Sequence, residues 1–221
     1  MTDIKVAMNQ LEICTSTGEP LANRFLRQSR PADSLAVVFP GLRYNCDKPL
    51  LYYTSQALAM RGVDVLQSWI DYNQAELESL SQTDLTLRMV SDAQATVASG
   101  LQARPYKKLI LVGKSIGTLV MAFILSQEPP LKIANTIWLT PLLQIPFVTA
   151  TIQNLTTPVI VAGGTADTTF DPASVELLDG LPNLSFLCVG GANHSLEIPG
   201  DPRRSLTALS DLVDCILNLP M

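Results

Sequence analysis

Ser115 stands in the run Gly113-Lys114-Ser115-Ile116-Gly117, a Gly-x-Ser-x-Gly spacing that suits a nucleophile. A serine hydroxyl attacks a carbonyl only when a base takes its proton. It must also be lifted clear of its own backbone. A sharp strand-to-helix turn does this, and flanking glycines remove side chains that would clash in such a turn. The run follows the apolar stretch Leu109-Ile110-Leu111-Val112 and opens another from Ile116, which is the context the spacing requires. Free N–H groups and the dipole at the start of the following helix favour a developing oxyanion. The letters Gly-Lys-Ser also resemble the end of a phosphate-binding loop. That loop needs glycine at position 108, which is Lys108.

The base is His194, the sole histidine, in Gly190-Gly191-Ala192-Asn193-His194-Ser195. An imidazole can accept the serine proton and return it to a leaving group. A carboxylate should orient the ring, and with this motif it falls between serine and histidine in the chain. Asp167, in Gly163-Gly164-Thr165-Ala166-Asp167, follows an apolar strand directly. Asp171 is the alternative, although its place before Pro172 fits a helix N-cap better. Ile116 and Leu42 are the expected backbone N–H donors to the oxyanion. Arg43 and Tyr44 either line the substrate pocket or are simply loop polarity. Lys114 is expected to point to solvent. No metal site and no cofactor are expected.

Elements must bring these residues to one edge. Lys5 to Cys14 and Leu21 to Leu26 read as two strands joined through a turn at 17–20. Leu35 to Phe39, Val63 to Leu66, Lys108 to Val112, Thr136 to Leu139, Pro158 to Ala162 and Ser185 to Val189 read as buried strands. Helices are expected over Pro49 to Arg61, over 82–100 closing on Gly100, from Ser115 to about Gln127 before Pro129-Pro130, and over 172–180 and 203–217. Strands alternating with helices predict an α/β fold, with a mainly parallel central sheet covered on both faces. Ligands then sit at the carboxyl ends of the strands, where the loops begin at Pro40, Gly113, Gly163 and Gly190.

The chain has 221 residues, 47% apolar and 16% charged, which reads as one domain over 1–221 with an ample core. A net charge of −5 argues against nucleic-acid binding. No stretch is long and apolar enough to span a bilayer. Cys14, Cys46, Cys188 and Cys215 are widely spaced and form no C-x-x-C pair. They read as reduced, mostly buried thiols of a cytoplasmic protein. The first residues lack the apolar core of a signal peptide.

With Ser115, Asp167 and His194 in these contexts, the chain resembles the α/β-hydrolase superfamily from about Leu35 onward. The resemblance rests on the elbow at Ser115, on Gly164-x-x-Asp167 and on Gly191-Ala192-Asn193-His194. It implies the α/β-hydrolase fold and a serine hydrolase acting on a small ester or thioester through an acyl-enzyme. A peptidase or amidase, or a non-catalytic ligand-binding or scaffold protein on the same fold, are the alternatives. Many members carry His-Gly where this chain has Pro40-Gly41. Only residues 140–157 separate two strands where larger relatives insert a cap, so no cap domain is expected. Residues 140–150 should instead form a small apolar wall beside an open site.

Overall fold

A computed structural model describes residues 6–15, 17–72, 80–127 and 133–220. Eight strands form one sheet: β1 (Val6–Asn9), β2 (Asn23–Gln28), β3 (Ser34–Phe39), β4 (Asp64–Ser68), β5 (Lys108–Lys114), β6 (Ile133–Leu139), β7 (Val159–Gly164) and β8 (Leu184–Val189). Their order is β1-β2-β4-β3-β5-β6-β7-β8. The pairs β1–β2 and β2–β4 are antiparallel, and every other pair is parallel. Among the described residues five helices connect strands, α1 (Pro49–Met60), α2 (Gln82–Gln102), α3 (Ile116–Leu125), α4 (Pro146–Gln153) and α5 (Pro172–Leu178), and α6 (Pro202–Asn218) follows β8.

Side chains of a strand alternate between faces, and the central strands are apolar at nearly every position. Leu35, Val37, Leu109, Leu111, Trp138 and Val161 therefore build one core. Ala36, Val38, Ile110, Val112, Ile137 and Ile160 build the other. Helices α2, α3, α4 and α5 pack side by side over the first face, and α1 packs with α6 over the second. Each fully buried aliphatic side chain contributes roughly 1.5–3 kcal/mol, so the strands beneath the site are its most rigid support.

The structure departs from expectation mainly at the first two strands. The first ends early, at Asn9, the second is shifted two residues toward the C-terminus, and Cys14 forms only an isolated bridge with Pro20. The cause is the Asn23 side chain, which accepts from the Leu11 N–H at 2.9 Å and donates to the Leu11 carbonyl at 2.8 Å. Those amide bonds replace a strand partner and draw the chain out of the sheet. Helix α2 also runs through Gly100 instead of closing on it. A Cβ there would lie 2.8 Å from Leu66 Cδ2, so this glycine serves close helix–sheet packing. Lys5 and the Pro129-Pro130 stop lie outside the described residues.

Between β6 and β7 the chain inserts only α4, so no cap domain stands there. Residues 140–150 lie at the carboxyl edge, but their apolar side chains are mostly committed to the core. Leu143 and Val148 are fully buried, and α4 packs against α3 and α5. Phe147 remains exposed, in contact with Phe123. The thiols also differ from expectation: Cys46 alone is buried, whereas Cys14 and Cys188 are exposed and all four are free. Among the described residues no helix is long and apolar enough to cross a membrane.

Candidate active site

Ser115 follows β5 immediately and caps α3, with φ 55° and ψ −122°. That conformation is strained for a residue with a Cβ and requires its surroundings to enforce it. Its N–H donates to the Leu139 carbonyl at 3.1 Å, and its carbonyl accepts from the Thr118 N–H at 2.8 Å. The flanking glycines are steric necessities. A Cβ at Gly113 would lie 2.7 Å from the Gly117 carbonyl oxygen, and one at Gly117 would lie 2.2 Å from the Phe39 oxygen. Both obstacles are backbone and cannot turn aside. Gly117→Ala is therefore expected to cost about 1–3 kcal/mol or more and to shift β3 away from the elbow. Urea unfolding checks this, and an unchanged midpoint would contradict it.

His194 comes from the loop after β8 and Asp167 from the loop after β7. The two loops meet because Gly164 has no side chain: a Cβ there would sit 2.2 Å from the Ala192 oxygen. The Ala166 N–H then donates to that oxygen at 3.0 Å. Asn193 shapes the histidine loop, its Oδ1 accepting from the N–H groups of Ser195 and Glu197. Ser115 Oγ lies 2.7 Å from His194 Nε2, and His194 Nδ1 lies 2.7 Å from Asp167 Oδ2. The carboxylate can only accept, so the proton belongs on Nδ1. Nε2 is then free to accept from the serine hydroxyl.

The Asp167 side chain is 1% exposed. Burial raises its carboxyl pKa, but hydrogen bonds from His194 and from the Thr169 N–H and hydroxyl outweigh burial. The carboxyl is held below its ordinary value, and the charge persists at neutral pH. Thr169 was not anticipated. Its N–H and hydroxyl both bond Asp167 Oδ1, at 2.9 and 2.8 Å, and its hydroxyl lies 3.2 Å from His194 Nδ1. An aspartate bonding the amide two residues on is a common turn device, so the spacing of Asp167 and Thr169 was the available signal. Asp171 stands elsewhere, as the N-cap of α5, accepting from the Ser174 N–H at 2.9 Å.

Ile116 is the first residue of α3, so its N–H has no acceptor within the helix. Gly41 passes against Ser115: a Cβ there would lie 3.1 Å from Ser115 Cβ. Leu42 follows and is exposed. Arg43 is exposed with φ 57°, and Tyr44 is 8% exposed. A cleft of about 430 Å³ lies here, lined by Leu42, Arg43, Tyr44, Trp69, Asp71 and Tyr72 among others. A second, more apolar cleft of about 650 Å³ is bordered by Asn193 and Ser195, on either side of His194. Neither is lined by residues 140–150. Lys114 does not point to solvent. It is 2% exposed, with Nζ 4.6 Å from the centroid of the Tyr44 ring. Among the described residues no group of three or more His, Cys, Asp or Glu side chains could hold a metal ion.

No family model and no curated protein matches the chain. Solved structures do. A lid-less α/β serine hydrolase of Xanthomonas campestris aligns over 98% of this chain and 96% of its own, at 20% identity and a TM-score of 0.68. Esterase Pf2001 of Pyrococcus furiosus aligns over 96% and 92%, at 14% identity and a TM-score of 0.66. Est1E of Butyrivibrio proteoclasticus aligns over 95% and 98%, at 13% identity and a TM-score of 0.70.

Proposed function

We propose that this chain, which has the α/β-hydrolase fold, is a serine hydrolase that cleaves a small carboxylic ester or thioester. The observation that carries the reading is the pair of 2.7 Å contacts joining Ser115, His194 and Asp167. The strained backbone at Ser115 supports it, because such strain is concentrated at functional sites. The esterase and serine hydrolase names of the structural neighbours point the same way. A single domain over 1–221 and a cytoplasmic setting complete the proposal, the latter supported by four free thiols.

In the proposed reaction Ser115 Oγ attacks the carbonyl carbon while its proton passes to His194 Nε2. The carbonyl π electrons move onto oxygen, and the N–H groups of Ile116 and Leu42 stabilise that oxyanion. As the intermediate collapses, His194 gives its proton to the departing alkoxide or thiolate, leaving an acyl-serine. Water then attacks the acyl carbon with His194 again as base. The acid departs and the serine proton returns. Asp167 stays ionised throughout and holds the ring. With no cap, a compact substrate reaches the site from the open edge.

The test is hydrolysis of activated esters and thioesters with short acyl chains, followed before the steady state. A burst of leaving group equal to the enzyme concentration, then slower turnover, is expected for an acyl-enzyme. No release above the uncatalysed rate for either class would reject the reading. His194→Gln should lower turnover by several orders of magnitude, since no second histidine exists to replace it. Turnover close to the wild type would contradict the assignment of the base.

A further inference from the structure

Lys114 precedes the nucleophile, is 2% exposed and takes part in none of the ion pairs found among the described residues. Burying an ammonium is costly unless something compensates. Its two ends show what does. The methylene stem lies under Gly41, where an added Cβ would be 3.1 Å from Lys114 Cδ. The ammonium sits over the Tyr44 ring, 4.6 Å from its centroid, within the range of a cation–π attraction that strengthens on desolvation. Tyr44 is itself anchored, its Oη accepting from the Leu50 N–H at 3.1 Å in the first turn of α1. The Tyr44 N–H closes the turn onto the Gly41 carbonyl at 3.3 Å. Lys114 thus grips both ends of the segment Gly41–Tyr44. Between them lie the Leu42 amide and Arg43, whose φ of 57° must be enforced from outside.

We infer that Lys114 is a positioning residue, whose ammonium on the Tyr44 ring holds the loop after β3 so that the Leu42 N–H faces the oxyanion formed at Ser115. The inference rests on the proposed hydrolase reading and adds to it a residue and a pH dependence. The groups facing the ammonium are Tyr44, from the loop after β3, and Asp167, from the loop after β7. Burial pushes Lys114 down to about 8, against the pull of the Asp167 charge. Burial pushes the Tyr44 phenol up to about 12, so Tyr44 stays neutral while Lys114 titrates. The cation–π contact is therefore present below about pH 8 and lost above it. The rate should have an alkaline limb there that belongs to Lys114.

The experiment measures kcat and KM against pH for the wild type, Lys114→Met, Lys114→Arg, Tyr44→Leu and the Lys114→Met/Tyr44→Leu double variant. A fluorophosphonate probe counts active sites in each. Lys114→Met keeps the length of the stem but no charge. It should lose about 10–100-fold in kcat, the scale of a misplaced catalytic group, with little change in KM and no alkaline limb near pH 8. Lys114→Arg should recover most of kcat and move the limb upward. Tyr44→Leu should match Lys114→Met, and the double variant should be no worse than either single. Should Lys114→Met fail to fold, Tyr44→Leu and the limb in Lys114→Arg decide the matter. Wild-type kcat and an unmoved limb in the lysine variants, or additive losses in the double variant, overturn the inference alone. A wild type that neither turns over ester nor takes the probe overturns the hydrolase reading, and this inference with it.

Discussion

Replacing Ser115 with alanine is expected to lower turnover by on the order of 10⁵–10⁶-fold, since in the proposed mechanism Ser115, His194 and Asp167 act as a unit. The elbow should survive. Alanine keeps the Cβ, so the backbone at φ 55° is neither relieved nor further strained. The bonds that hold the turn, from the Ser115 N–H to Leu139 and from the Thr118 N–H to Ser115, are backbone bonds. Only the 2.7 Å contact to His194 Nε2 is lost. The variant should therefore unfold at nearly the wild-type temperature while its activity disappears. Residual turnover within tenfold of the wild type would place the nucleophile elsewhere.

Asp167→Asn should cut turnover by on the order of 10⁴-fold, because an amide in place of the carboxylate favours the wrong imidazole tautomer. The loss should lie in kcat. Its neighbour Asp171 provides the control. Asp171 caps α5 through the Ser174 N–H and hydroxyl, so Asp171→Ala should lower the melting temperature and leave turnover unchanged. The reverse pattern would exchange the two roles. Stability carries a second sign. The Asp167 carboxyl has a lowered pKa in the folded chain, so it contributes stability above the ordinary carboxylate range. That contribution is lost as pH falls through the folded value. Asp167→Asn should therefore flatten the acid end of the stability profile.

The central strands and the helices between them were legible because strands such as Leu35 to Phe39 are buried on both faces, which leaves uninterrupted apolar runs. Strands β1 and β2 were less so. There a single buried amide, Asn23, decides where the chain leaves the sheet, and no periodicity announces it. The positions that meet at Ser115 were readable from loop placement, since each follows a strand at the carboxyl edge. Lys114 was misread because charge is ordinarily a sign of solvent. Its burial depends on the Tyr44 ring, 70 residues earlier in the chain. In the apolar run from Pro141 to Phe147, read as a pocket wall, Leu143 is committed to the core while Phe147 stays exposed. Thr169 and Asn193 act through short-range side-chain-to-backbone bonds that their loop positions permit but do not require.

In the proposed reaction Ser115 forms the covalent intermediate. The most direct measurement is peptide mass spectrometry of the chain after brief exposure to a fluorophosphonate at neutral pH. One stoichiometric adduct is expected on the peptide containing Gly113-Lys114-Ser115-Ile116-Gly117, with fragments assigning it to Ser115. Labelling should slow sharply in Asp167→Asn. An unmodified Ser115 in a folded chain, or an adduct on another serine at equal yield, would contradict it.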